Sequence, residues 1–148
     1  VLVAPICRMY FSGNTIRRAG QHDLGDKFSK LTDTGVLENQ KVPATDHSMD
    51  YVYQMQQVAT EMNVPFIDLT SATKDLYLSY GDAKCHELLS DHNGSTHLST
   101  IGATLIARQV ASLLKAAGIL ADNIVIPSDL SVSPAEAHLG EGYKGHHD

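Results

Sequence analysis

The stretch Ser90-Asp91-His92-Asn93-Gly94-Ser95-Thr96-His97-Leu98-Ser99-Thr100-Ile101-Gly102-Ala103 gathers an acid, two imidazoles and several hydroxyls on a Gly-bearing turn, and an apolar helix follows at once. An imidazole can take the proton of a hydroxyl as that hydroxyl attacks an ester carbonyl. A carboxylate beside it holds the tautomer and stabilises the imidazolium that forms. His97 lies two residues before Ser99, which is expected to cap the helix, so its ring belongs to the loop that enters the helix. A helix N-terminus carries partial positive charge and disfavours a cationic imidazole. A base at this place therefore needs a carboxylate, and Asp91 is the nearest acid before it. Gly102 and Ala103 in the first turn are small enough to let that turn approach another backbone closely. On spacing alone the alternative is a solvated loop histidine beside a well-capped helix.

The remaining candidates point to less. His22, His47, His86, His92, His97, His138, His146 and His147 match no zinc signature such as HExxH. Cys7 and Cys85 lie in no CxxC or metal-ligand spacing, so no metal is expected. They could pair in an exported protein or both be buried thiols. Arg8, Arg17 and Arg18 could reach a sugar acid or a partner carboxylate, with a solvated loop as the alternative. Asp46, Asp50 and Glu61 read as helix-surface charges. Asp68, at a strand end, is either structural or near the site. There is no phosphate-cradling glycine loop and no basic-aromatic stripe, so no nucleic-acid partner is expected.

The elements that must position the loop follow from apolar periodicity. Val1 to Cys7 is a continuous apolar run of the kind found in strands buried on both faces. Arg8 to Val42 has no clean period and reads as a long loop with at most a short helical piece. Asp46 or Ser48 can cap a helix whose Val52, Met55, Val58, Ala59 and Met62 recur at helical spacing as a core stripe. Asn63 ends it. Val64 to Leu69 reads as a second buried strand, Thr70 as the next cap, Ala72 to Tyr80 as a short helix, and Gly81 as its stop. Asp82 to Thr96 is polar and irregular. Ser99 caps a long helix with a buried face of Ile101, Leu105, Val110, Leu113 and Leu114, and Gly118 closes it. The tail from Ile119, which includes Ile124-Val125-Ile126, has no strong period.

Alternating strands and helices imply an α/β domain with a parallel sheet and helices packed on it. Residues 1–118 form the domain and 119–148 a partly irregular tail. Two strands apolar on both faces make a poor sheet, since both are edges. Together with the apolar run at Val1, this suggests the later part of a larger domain rather than a short mobile start. The 148 residues suffice for one sizeable core. A net charge of −6 opposes bulk attraction to nucleic acid or anionic membranes. No apolar run approaches the roughly 18–20 residues of a membrane span.

Thr96-His97-Leu98-Ser99-Thr100-Ile101-Gly102-Ala103, with TLIARQVASLL behind it, resembles the last sequence block of SGNH (GDSL-type) hydrolases, in the rhamnogalacturonan acetylesterase-like branch. NVPFIDLTSATKDLY is similar to the strand and helix before that block, and VLVAPICRMYF to the strand and turn before both. The resemblance covers most of Val1 to Gly118. It implies a flavodoxin-like three-layer α/β/α sandwich, a serine esterase that deacetylates a plant polysaccharide such as pectin, no cofactor, and a secreted or periplasmic location. His97 takes the position of the catalytic base. The family's acid lies three residues before the histidine, where this chain has Gly94. Asp91 lies six before and could serve if the turn is three residues longer; otherwise the acid is lost. The nucleophile block is missing: Gly-Asp occurs only at Gly25-Asp26-Lys27 and Gly81-Asp82-Ala83, and Gly-x-Asn-Asp does not occur. The resemblance thus implies the C-terminal portion of an esterase whose nucleophile and N-terminal strands lie outside these residues. The alternative is a non-catalytic carbohydrate-binding or assembly domain of the same fold.

Overall fold

The computed structural model describes residues 1–16, 50–91 and 94–127, with the backbone of 29–31 and 37–39. The chain divides into two compact units, Val1–Lys74 and Asp75 onward. The class is mixed α/β with a small parallel sheet, as alternation of strands and helices requires.

In the first unit β1 (Leu2–Val3) pairs in parallel with β6 (Phe66–Ile67), placing Leu2 opposite Phe66 and Val3 opposite Ile67. The Leu2 and Ala4 amides extend the ladder by donating to the Pro65 and Ile67 carbonyls, both at 2.9 Å. The strand is shorter than the apolar run Val1 to Cys7. The ladder uses the amides of alternate residues, Leu2 and Ala4, and beyond it the Cys7 amide donates to the Thr73 hydroxyl at 2.8 Å. Ala4, Cys7 and Met9 are buried beyond the strand. The Arg8 guanidinium sits 5.9 Å from the centre of the Tyr10 ring.

The region read as one long loop contains two antiparallel pairs. One joins β2 (Phe11–Ser12) to β3 (Thr15–Ile16). Gly13 takes the turn at φ 61°, where a Cβ would be strained. The other joins β4 (Ser29–Leu31) to β5 (Leu37–Asn39). These hairpins are too short to show a period. Arg17, Arg18, His22 and His47 lie outside the described residues.

Helix α1 (Tyr51–Glu61) starts at neither Asp46 nor Ser48, which lie outside the described residues. Its cap is Asp50, a buried residue whose carboxylate accepts the Tyr53 amide at 3.0 Å. The surface-charge reading of Asp50 is thereby corrected. Asn63 ends the helix with φ 51°, as its type allows. The stripe expected to be core is buried only at Ala59. Val52 and Met55 are half-buried, while Val58 and Met62 are 43% and 68% exposed, so part of the stripe faces out of this unit.

Helix α2 (Leu69–Tyr80) begins earlier than Thr70 predicts. Asp68 holds its first turn instead, accepting the Ser71 amide at 3.0 Å and the Ser71 hydroxyl at 2.7 Å. Thr70 lies inside the helix, buried, and its hydroxyl donates to the Pro5 carbonyl. Asp68 is therefore structural.

In the second unit the segment read as irregular is helical at its start. Gly81, at φ 78°, turns the chain into a single turn, α3 (Asp82–Lys84), which runs on as a π-helical segment over Cys85–Leu89. The Ser90 amide reaches back five residues to the Cys85 carbonyl at 2.9 Å. Such wide turns occur often at functional sites. A loop follows, and then α4 (Thr100–Ala116), whose N-terminal half packs on the π-helical segment. Ile101, Gly102 and Ile106 are its buried residues. Leu105, Val110, Leu113 and Leu114 are only half-buried, so the buried face is narrower than expected. Gly118, at φ 71°, closes the helix. Ile124-Val125-Ile126 follows as irregular chain, and residues 128–148 lie outside the described residues. Among the described residues no helix is long and apolar enough to cross a membrane.

Cys7 and Cys85 are both buried thiols. The Cys85 thiol donates to the Tyr77 carbonyl at 3.4 Å. Burial, and secondarily the negative charge of Asp82, pushes its pKa from 9.0 up to about 12. The unfolded thiol thus ionises at lower pH than the folded one. Its contribution to stability is whole below pH 9.0 and declines as the pH rises from there towards 12. Urea midpoints are expected to fall between about pH 8 and about pH 10, and to fall less in Cys85→Ala. An equal fall in both proteins would remove Cys85 as the cause.

Candidate functional site

The loop between the π-helical segment and α4 is tied at its base. Ser90 and Leu98 form an antiparallel bridge, and the Asp91 amide donates to the His97 carbonyl at 3.0 Å. Asp91 and His97, six apart in sequence, therefore become cross-strand neighbours. Inside the loop the Gly94 amide turns back on the Asp91 carbonyl at 2.8 Å. A side chain at Gly94 would place its Cβ 3.1 Å from that carbonyl, a tight fit.

The platform under the loop is one helix end set into another. The last carbonyls of a helix lack intrahelical partners, as do the first amides of the next. Here they satisfy each other through Ser99. Its amide donates to the Leu89 carbonyl at 2.9 Å, and its hydroxyl donates to the Leu88 carbonyl while accepting the Gly102 amide at 3.0 Å. Ser99 is fully buried. Gly102 lies so close to Leu89 that a Cβ there would stand 2.0 Å from the Leu89 carbonyl oxygen. The small residues at 102 and 103 thus do allow the close approach expected of them at Gly102. Ser99→Ala removes a cap, worth about 1 kcal/mol, and also strands a buried carbonyl at a cost of about 1–3 kcal/mol. A loss of roughly 2–3 kcal/mol in urea unfolding is expected, and a loss below about 0.5 kcal/mol would contradict this role.

Asp91 and His97 line one open cleft of about 730 Å³ beside α4, together with Leu98, Ser99, Ala103 and Thr104. Asp91 is buried at 9% exposure, whereas His97 is exposed. What joins the two residues is the backbone bond from the Asp91 amide to the His97 carbonyl, whereas an orienting acid acts through its carboxylate on the imidazole. Asp91 sits away from the α4 N-terminus along the chain, yet the bridge brings its backbone level with His97.

Hydroxyls in the cleft come from Ser99, Thr100 and Thr104. Ser99 is held in the cap, and the Thr104 hydroxyl donates to the Thr100 carbonyl at 2.8 Å. Ser90, next to the loop base, is buried and donates to the His86 carbonyl at 3.0 Å. Thr104 was not singled out from the sequence. Its signal is the i+4 spacing from Thr100, which places both on the helix face that enters the cleft.

A second imidazole–carboxylate pair was also missed. His86 Nδ1 lies 2.8 Å from Asp82 Oδ1 and 3.0 Å from the Asp82 carbonyl oxygen. Its i,i+4 spacing was visible in the sequence. At the surface such a pair contributes about 0.3–0.5 kcal/mol, and it does not line the cleft. Among the described residues no group of three or more His, Cys, Asp or Glu side chains could hold a metal ion. His92 lies outside the described residues.

No family model, no curated protein and no solved structure matches this chain.

Proposed function

We propose that this chain is the C-terminal portion of a serine esterase of the SGNH type, with a flavodoxin-like α/β/α sandwich, acting on acetylated carbohydrate such as pectin. The observation that carries the proposal is the tied loop that sets His97 and Asp91 into one cleft at the entry of a capped helix. In this reading His97 removes the proton from a serine hydroxyl as the oxygen attacks the acetyl carbonyl, then returns it to the leaving sugar oxygen. Asp91 orients the imidazole. Water deacylates the serine by the same route in reverse.

The serine comes from the N-terminal half of the domain, in the same or a separate polypeptide. Two observations support an incomplete domain. β1 and β6 form a parallel sheet of only two strands among the described residues, and parallel sheets are ordinarily covered on both faces. The apolar residues Val58 and Met62 on α1 are exposed, as a face awaiting a further layer would be. The cleft hydroxyl of Ser99 is committed to the cap, which also favours a nucleophile from elsewhere. Secretion or periplasmic export fits a polysaccharide substrate and belongs to the same proposal.

The test is acetyl release from acetylated pectin and from p-nitrophenyl acetate by this chain alone and by the chain joined to the coding sequence upstream of Val1, with fluorophosphonate labelling of both. The expected result is one labelled serine, outside these 148 residues, in the joined protein only. No labelled serine in either protein would overturn the esterase reading. Gly94 in the family's acid position favours the second reading, a carbohydrate-binding or assembly domain that kept the fold without the chemistry. Retained polysaccharide binding without labelling would then select it.

A further inference from the structure

A second, smaller pocket of about 290 Å³ lies further along α4, walled by Ala107, Arg108 and Ala111 of the helix and by Val125, Ile126 and Pro127 of the chain that returns beside it. Its residue types differ from those of the His97 cleft. Apart from Arg108 and a rim contribution from Thr104, every wall residue is apolar. The returning chain is fastened at two points. The Lys115 ammonium donates to the Ile124 carbonyl at 3.1 Å, and the Arg108 guanidinium donates to the Pro127 carbonyl at 2.5 Å. The returning chain is thereby held beside α4, with Val125 itself 88% exposed. A guanidinium carries five donors in a rigid fork. The bond to Pro127 uses one of these donors.

We propose that this pocket binds a small ligand with an apolar body and a single carboxylate, the body among Ala111, Val125 and Ile126 and the carboxylate on Arg108. The volume stands at the small end of the range of small-molecule sites, about 300–1,000 Å³, which suits a medium-chain or aryl acid and excludes a polymer. The charge follows from Arg108: a guanidinium pairs with a carboxylate through parallel N–H···O bonds and offers no acceptor to a neutral hydroxyl. The pocket shares Thr104 and Ala107 with the His97 cleft, so a bound acid lies against the same turn of α4 that walls the candidate site. The proposal does not depend on the esterase reading, because it concerns binding at Arg108 and not turnover at His97.

The experiment is a titration of the full chain, followed by NMR of the Ala111 and Ile126 methyls, with octanoate, octanol and galacturonate as probes. Octanoate is expected to shift those methyls saturably. Octanol, with the same body and no charge, is expected to bind at least about tenfold more weakly, one charged hydrogen-bonded pair being worth about 1.5–3 kcal/mol. Galacturonate, with the charge and no apolar body, is expected to leave them unmoved. Arg108→Gln should bring octanoate down to the affinity of octanol, and Ala111→Leu, which fills the pocket, should abolish both. Equal binding of octanoate and octanol, tighter binding of galacturonate, or octanoate binding unchanged in either folded variant would overturn the proposal. Loss of pectin turnover with octanoate binding intact would strike the esterase reading alone.

Discussion

Gly102→Ala is expected to cost at least about 3 kcal/mol and to loosen the whole second unit. Two effects oppose each other in this substitution. Alanine favours a helix interior over glycine by about 1 kcal/mol, so a bystander glycine in α4 would become more stable on replacement. The added methyl, however, would stand 2.0 Å from the Leu89 carbonyl oxygen and 2.9 Å from its carbon. Neither is the end of a flexible side chain. Both belong to the last turn of the π-helical segment, which is itself held by Ser99. Relief requires α4 to back away, and that breaks the Ser99 amide bond to Leu89 and uncovers Ile101 and Ile106. Overpacking ordinarily costs about 1–3 kcal/mol, and more where backbone must move. The collision therefore outweighs the gain in helix propensity. Urea unfolding followed by far-UV circular dichroism measures it, and a variant as stable as the parent would disprove the close packing.

The second large effect concerns turnover in the joined protein. His97→Ala is expected to lower kcat roughly 10²–10⁴-fold, the usual contribution of a positioned general base, with KM little changed. His97 is exposed at the cleft mouth, so its loss should not disturb folding. On the proposed mechanism, Asp91→Asn is expected to act in the same direction but less, since there it removes the orienting group and leaves the base. Gly94→Asp introduced into Asp91→Asn asks whether the loop accepts the acid at either place. A Cβ at residue 94 would lie close to the Asp91 carbonyl, at 3.1 Å, so that carbonyl must give by a few tenths of an ångström to admit the side chain. Partial recovery of kcat is the expected result. Unaltered turnover in His97→Ala would end the proposed mechanism. Unaltered turnover in Asp91→Asn would leave His97 in place and remove Asp91.

What could be read in the sequence was whatever a single side chain decides. Ser99 as a cap, Asn63, Gly81 and Gly118 as stops, and the small residue at 102 all act through local sterics or one hydrogen bond. What could not be read depends on partners distant along the chain. Thr70 has the type of a cap, but the Pro5 carbonyl, far away in sequence, draws its hydroxyl and leaves the cap to Asp68. The π-helical turn over Cys85–Leu89 has no period of its own and exists through its packing on α4. Val58 and Met62 follow the helical spacing of core residues, yet spacing says nothing about which stripe of a helix finds a neighbour. At the site, the two residues singled out do share a cleft. Their spacing of six could not reveal the cross-strand bond that joins them.

That bond has a consequence for how such a loop can change over time. Ser90 and Leu98 close the loop at its base, and Ser99 locks the base to the two helix ends beneath it. The ends of the segment between are thereby fixed, and lengthening a loop whose ends are fixed costs little, about 0.6 kcal/mol for each doubling. Residues can be gained, lost or exchanged there without shifting α4 by a fraction of a turn. The loop is an interchangeable cassette on a fixed mount: its residues can be exchanged while the helix ends beneath it keep their register.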